Sequence, residues 1–268
     1  MRLPTSLLFA FGTALAAPST SHAWVRSHVD GEESLYLYWP SRTITVALSS
    51  QGSQDVEPGA MRAAVMRSLT TWSANACTDL YVVWGGLTAS RVTNLVSAGE
   101  PDRTNALVWR EEDWPDFVPA ETLALTTLVY DNTLGAIIDG DIDFNGAEFF
   151  WTATDDESQI RADVQNTVTH ELGHLIGLDH SDVPDSTMFF ETEPAETKKR
   201  DLDEDDLDAL CFIYPTGGDT PLDTVTADPA ALELAGSSCA AAPGAPAPGA
   251  SAPVLLALAL VAVRRRRR

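Results

Sequence analysis

Three of the chain's five histidines fall within eleven residues, as His170, His174 and His180. His170 and His174 are four positions apart, which on a helix puts both imidazoles on one face, a turn apart. Two ring nitrogens placed so can share a zinc ion at about 2.0–2.1 Å. Neutral imidazole is a borderline-soft donor that suits this metal. Glu171 is next to the first ligand, within reach of a water in an open coordination position. Zinc lowers the pKa of such a water to about 7. A carboxylate can then take its proton during attack on a peptide carbonyl and return it to the leaving amine. Gly177 tolerates positive φ, so it can end the helix and bring His180 back as a third ligand. Three ligands, a base and one open position describe a catalytic rather than a structural zinc. A bare His-Glu-x-x-His could be a solvated helix face. The glycine and third histidine at these offsets argue against that.

The elements that must position these residues are legible as alternating strand and helix signals. Residues 43–48 alternate like a strand, and residues 58–76 carry Met61, Val65, Leu69 and Trp72 at helical spacing. Residues 80–84 read as a strand that Gly85-Gly86 ends. Residues 106–109 and 122–130 are further candidate strands, and residues 136–138 and 142–144 lie together in one more extended stretch. A long helix is expected over residues 159–176, then a loop, then a last helix over residues 201–213. The acidic run at the start of that last helix reads as a capped, solvated face in preference to a calcium cluster.

The ends of the chain read differently. Residues 1–23 look like an export signal: Arg2, a short apolar stretch, then small residues with cleavage after Ala17 or Ala23. A net charge of -22 argues against nucleic acid as a partner. Residues 216–252 are a low-complexity linker. Residues 253–268 are an apolar run, about half a membrane span, closed by five arginines. In an oxidising compartment the simplest arithmetic pairs Cys77 with Cys211 and leaves Cys239 for another purpose. Three free thiols are the alternative.

The residues His170, Glu171, His174, Gly177 and His180 resemble the metzincin metalloproteases, and Ser181 after the third histidine resembles the matrixin branch. The resemblance makes Met188, in Asp185-Ser186-Thr187-Met188, an apolar floor beneath the metal. Phe190 stands where related branches carry a zinc-binding tyrosine, so a tyrosine ligand is not expected. Phe189-Phe190 replaces the usual Tyr-Pro, which implies a differently shaped pocket wall. Residues 140–148 are similar to the family's last strand before the active-site helix. Asp143 stands there in place of a histidine, so no structural zinc is expected. Asp141, Asn145 and Glu148 are candidates for calcium, with an ordinary alternating strand as an equal reading. The tail around Cys239 resembles the sorting tail of myxobacterial surface proteins.

Together these imply an α+β, zincin-like catalytic domain over residues 24–215. A twisted, mostly parallel sheet would pack against a backing helix and the active-site helix, with a small irregular C-terminal subdomain. The implied activity is that of a zinc endopeptidase on protein or peptide substrates, exported and either secreted or surface-anchored, and monomeric. Membrane contact would come only through the tail before processing. The rival readings are a surface binding protein that keeps the metal site, and a zinc hydrolase of a non-peptide amide.

Overall fold

The computed structural model describes residues 23–73, 75–97 and 101–221, and the backbone of residues 255–262. Three short strands come first: β1 Val25–Arg26, β2 His28–Val29 and β3 Glu32–Tyr36. Then follow β4 Thr43–Ser49, helix α1 Pro58–Ser73, β5 Tyr81–Thr88, β6 Asn105–Arg110, β7 Thr122–Tyr130 and β8 Ile137–Asn145. Short strands β9 Trp151–Thr152 and β10 Ala162–Asp163 lead into helix α2, Val164–Leu175. Strand β11 is Leu178–Asp179, helix α3 is Glu204–Ile213, and β12 is Leu255–Ala262.

Six strands form one sheet in the order β12-β7-β8-β6-β4-β5. The pairs β4/β5, β4/β6 and β6/β8 are parallel, while β7 runs antiparallel to β8. β12 pairs antiparallel with the outer edge of β7, with Ala259 opposite Thr126. This is the α+β architecture that the sequence implies. β6 and β7 are buried along their whole length, as expected of strands covered on both faces. Trp109 stacks on Phe144 at 4.0 Å between ring centroids, and Trp151 meets both edge-on at 5.6 Å. α1 turns Met61, Val65, Leu69 and Trp72 into the core, as its spacing predicts. The Trp72 indole N–H donates to Thr169 O at 2.8 Å, fixing α1 to α2.

Several boundaries differ from the sequence reading. α2 starts at Val164, not near residue 159, because the Asp163 carboxylate caps it by accepting from the Asn166 N–H at 2.8 Å. β5 continues through Gly85-Gly86 to Thr88. The glycines mark a register shift against β4 instead of a strand end. Residues 137–145 form one strand, in agreement with the single extended stretch read there. α3 carries the expected cap, a box in which Asp203 and Asp206 exchange bonds with each other's backbone N–H. The Cys77–Cys211 disulfide is present, with Cα atoms 5.3 Å apart. The export signal up to residue 22, Cys239 and the five arginines lie outside the described residues.

Candidate metal centre

Every residue of α2 is buried, although seven of its twelve residues carry polar side chains. A helix buried on all sides and still polar must satisfy its polar atoms inside the protein. His170 Nδ1 donates to Thr187 O at 2.6 Å, and His174 Nδ1 donates to Leu178 O at 2.8 Å. A carbonyl only accepts, so each Nδ1 carries the ring proton and each Nε2 keeps its lone pair. His170 Nε2 is buried with no hydrogen-bond partner. His174 Nε2 faces His180 Nε2 at 3.2 Å. One ligand atom from each of the three histidines lies within 4.8 Å of the others. Buried lone pairs aimed at one point are what a zinc ion needs, and this group fits a zinc site.

His180 reaches the site because the chain reverses at Gly177, whose φ is +94°. A Cβ at this position would also stand 2.8 Å from Leu37 O. The final carbonyls of α2 are covered from outside. Trp39 Nε1 donates to Leu175 O, and the Tyr214 hydroxyl donates to Ile176 O, each at 2.7 Å. β11 then pairs with β1, so the N-terminal segment holds the returning strand that carries His180.

Glu171 is fully buried. Its Oε2 accepts from the Thr126 hydroxyl at 2.6 Å, while Oε1 has no partner. Burial pushes its pKa up to about 8, with the Thr126 bond working in the other direction. Burial lowers His170, His174 and His180, which keeps all three rings neutral and able to ligate.

Met188 is buried below these residues. Gly173, inside the histidine motif, makes room for it: any side chain there would overlap the Met188 sulfur. The turn before Met188 is held by Asp206 of α3. That carboxylate accepts from Ser186 Oγ at 2.6 Å, Thr187 N at 2.7 Å and Met188 N at 3.1 Å. Since Thr187 O in turn accepts from His170, Asp206 sets the orientation of a metal-facing ring through one intermediate residue. The acidic run is therefore not a uniformly solvated face. Glu204 and Asp208 are exposed, but Asp206 is buried and Asp205 holds Ser181 Oγ at 2.7 Å.

Thr126, Gly173 and Asp206 were not singled out from the sequence. Thr126 is one of nine buried residues of β7, and nothing in strand periodicity marks its hydroxyl. Asp206 was hidden among acidic neighbours. The calcium candidates are Asp141 and Asn145 on β8 and Glu148 just after it. Asp141 accepts backbone N–H groups from Ala106 at 2.9 Å and Asn94 at 2.8 Å. Asn145 is tied to Thr122 O at 3.0 Å and to the Glu148 N–H at 3.0 Å, while the Glu148 side chain is exposed. Asp143 is buried against Arg110, whose Nε donates to it at 2.6 Å. The group suited to a metal among the described residues is the three-histidine one.

The matrixin family profile matches residues 38–215. The chain belongs to the matrixin family. Metalloendoproteinase 1-MMP of Arabidopsis thaliana is 32% identical over 108 residues, 37% of this chain and 29% of the plant protein. Metalloendoproteinase 4-MMP of the same plant is 29% identical over 116 residues, 41% of this chain and 34% of that protein. Rat (Rattus norvegicus) matrilysin is 27% identical over 177 residues, 66% of this chain and 58% of matrilysin. The matrixin thus spans about a third of the two plant relatives. Membership implies zinc, in agreement with the donor geometry.

Proposed function

We propose that this matrixin is a zinc endopeptidase in which His170, His174 and His180 hold the metal and Glu171 is the general base and acid. The observation that carries the reading is the convergence of ligand atoms from His170, His174 and His180 within 4.8 Å, with Oε1 of the adjoining Glu171 buried and without a hydrogen-bond partner. Zinc, when bound, supplies a Lewis acid that polarises the scissile carbonyl and lowers the pKa of water. Thr126 fixes Oε2 of Glu171, so Oε1 is the oxygen left to take the water's proton and pass it to the leaving amine nitrogen. The carbonyls of Thr187 and Leu178 keep the rings in the ligating tautomer. A protein that only bound partners would have no need of a base next to the metal ligands.

An extended substrate would lie along the sheet edge nearest α2, the outer edge of β7. β12 already runs along that edge, so a peptide pairing there must replace it. Loss of the tail during maturation, as its sorting-tail character implies, would open the edge. The signal and tail together support export, with the product secreted or anchored at the cell surface as a monomer. Among the described residues, no helix is long and apolar enough to cross a membrane.

Casein cleavage by the wild type and by Glu171→Ala, each with and without a chelator, tests the mechanism. Cleavage by the wild type alone, abolished by the chelator, is expected. Equal cleavage by both proteins would overturn the role of Glu171, and zinc binding without cleavage of any protein would favour a binder.

A further inference from the structure

β7 is the strand that touches the candidate base, and the chain's own tail lies along its outer edge. Thr126, midway along β7, donates its hydroxyl to Glu171 Oε2 at 2.6 Å, so the base is one side chain away from the strand. Directly across from Thr126 on the other side is Ala259 of β12. The antiparallel pairing runs from Leu255 opposite Tyr130 to Ala262 opposite Thr122, so the tail covers β7 from end to end. A strand edge left open presents a row of N–H and C=O groups to any extended chain that reaches it. Among the described strands, β12 is the one that takes up this edge.

The tail is tethered from a fixed point. Arg26 Nη1 donates to Pro221 O at 2.6 Å, which holds the start of the linker against β1. Residues 222–254 then lead to Leu255, a length that reaches about 100 Å when extended. An end held on such a tether meets its site at an effective concentration on the order of millimolar, far above that of most free peptides. β12 is also a strand that can be displaced. Ala257, Ala259 and Ala262 are poor strand formers, and the register shifts between Leu260 and Ala262. We propose that β12 is a built-in inhibitor: the tail occupies the main-chain edge beside Glu171 that a peptide substrate would use. Activation is then the hydrolysis of one peptide bond within residues 222–254 by a peptidase. Water adds across that bond, leaving a carboxylate on the domain and an ammonium on the tail. Without its tether the tail loses the effective concentration that kept it on β7. This deepens the endopeptidase reading above and rests on it.

The test compares three full-length proteins whose intact mass shows the tail uncut: wild type, Leu258→Pro/Ala259→Pro in β12, and Ala245→Pro/Ala250→Pro in the linker. The N–H groups of adjacent strand residues point to opposite sides, so one of the two prolines in β12 removes a bond to β7. A tail that covers the edge about nine-tenths of the time weakens apparent substrate binding about tenfold. The β12 variant is therefore expected to cleave casein with a kcat/KM about tenfold above wild type, through KM, with kcat nearly unchanged. The linker variant should match wild type, and zinc content should be equal in all three. Amide hydrogen exchange over residues 122–130 should be faster in the β12 variant alone. Equal kcat/KM in the β12 variant and wild type would overturn the inhibition, as would exchange over residues 122–130 that is the same in all three. A gain shared by the linker variant would overturn it too, because pairing with β7 would not be its cause. No casein cleavage by any of the three would refute the endopeptidase reading itself. Faster exchange in the β12 variant would then reduce β12 to a structural strand.

Discussion

At the scale of single residues, the centre works by dividing each polar side chain between a structural bond and a chemical one. His170 and His174 give Nδ1 to carbonyls and keep Nε2, and Glu171 gives Oε2 to Thr126 and keeps Oε1. Thr126→Val removes the side-chain hydrogen bond to the carboxylate and leaves the volume of the side chain nearly intact. We expect kcat to fall by about 10–100-fold with zinc content unchanged, measured by peptide turnover and metal analysis of the same preparation. A normal kcat would show that Glu171 needs no such support. Burial holds the pKa of His174 down to about 3, and lowers His170 and His180 in the same direction. A lowered folded value means that the stability contributed by these rings is in place above the ordinary value of 6.5. It is lost as pH falls from there towards 3. Zinc should accordingly be retained on dialysis at pH 6 and released only well below it. Half-release near pH 6.5 would mean that the rings titrate as free histidines.

At the scale of elements, legibility depended on whether a residue's task is local. The active-site helix, its reversal at Gly177 and the ligand spacing are properties of one short stretch, so residues 170–180 could be read in full. α2's start was misplaced because Asp163 competes with earlier polar residues as a cap, and only the tertiary ion pair with Arg200, at 2.6 Å, distinguishes it. The role of Asp143 was equally hidden, since its partner Arg110 is thirty-three positions away. That pair also gathers Thr93, whose hydroxyl donates to Asp143 at 3.2 Å and accepts from Arg110 at 2.9 Å. The loop between β5 and β6 is thereby fastened to β8. Arg110→Met would leave a buried carboxylate without its cation, a change that destabilises by about 3–5 kcal/mol. The double variant Arg110→Met/Asp143→Leu should recover most of that loss, because no charge remains to desolvate. Urea unfolding of the three proteins checks it, and equal midpoints for the single and double variants would contradict it.

At the scale of the whole molecule, the sheet and the helices meet around one main core, and the chain's two distant halves are joined covalently. Pairing Cys77 with Cys211 needed only a count of thiols and a compartment, so it was open to sequence arithmetic; where the bridge sits was not. It connects the segment after α1 to α3, across 134 positions. α3 carries Asp206 and ends at Tyr214, so the bridge stands behind both the methionine turn and the cover over the end of α2. Closing so long a loop restricts the unfolded chain and is worth about 2–5 kcal/mol. Replacing both cysteines with serine should lower the unfolding free energy by that amount. Turnover of whatever fraction remains folded should be nearly unchanged, since neither cysteine belongs to the three-histidine group. Stability from denaturant titration, and activity normalised to the folded fraction, would be measured on the same samples. A large loss of activity per folded molecule would mean that the bridge tunes the metal centre itself through α3. That outcome would move the disulfide from the stability of the fold to the geometry of the site.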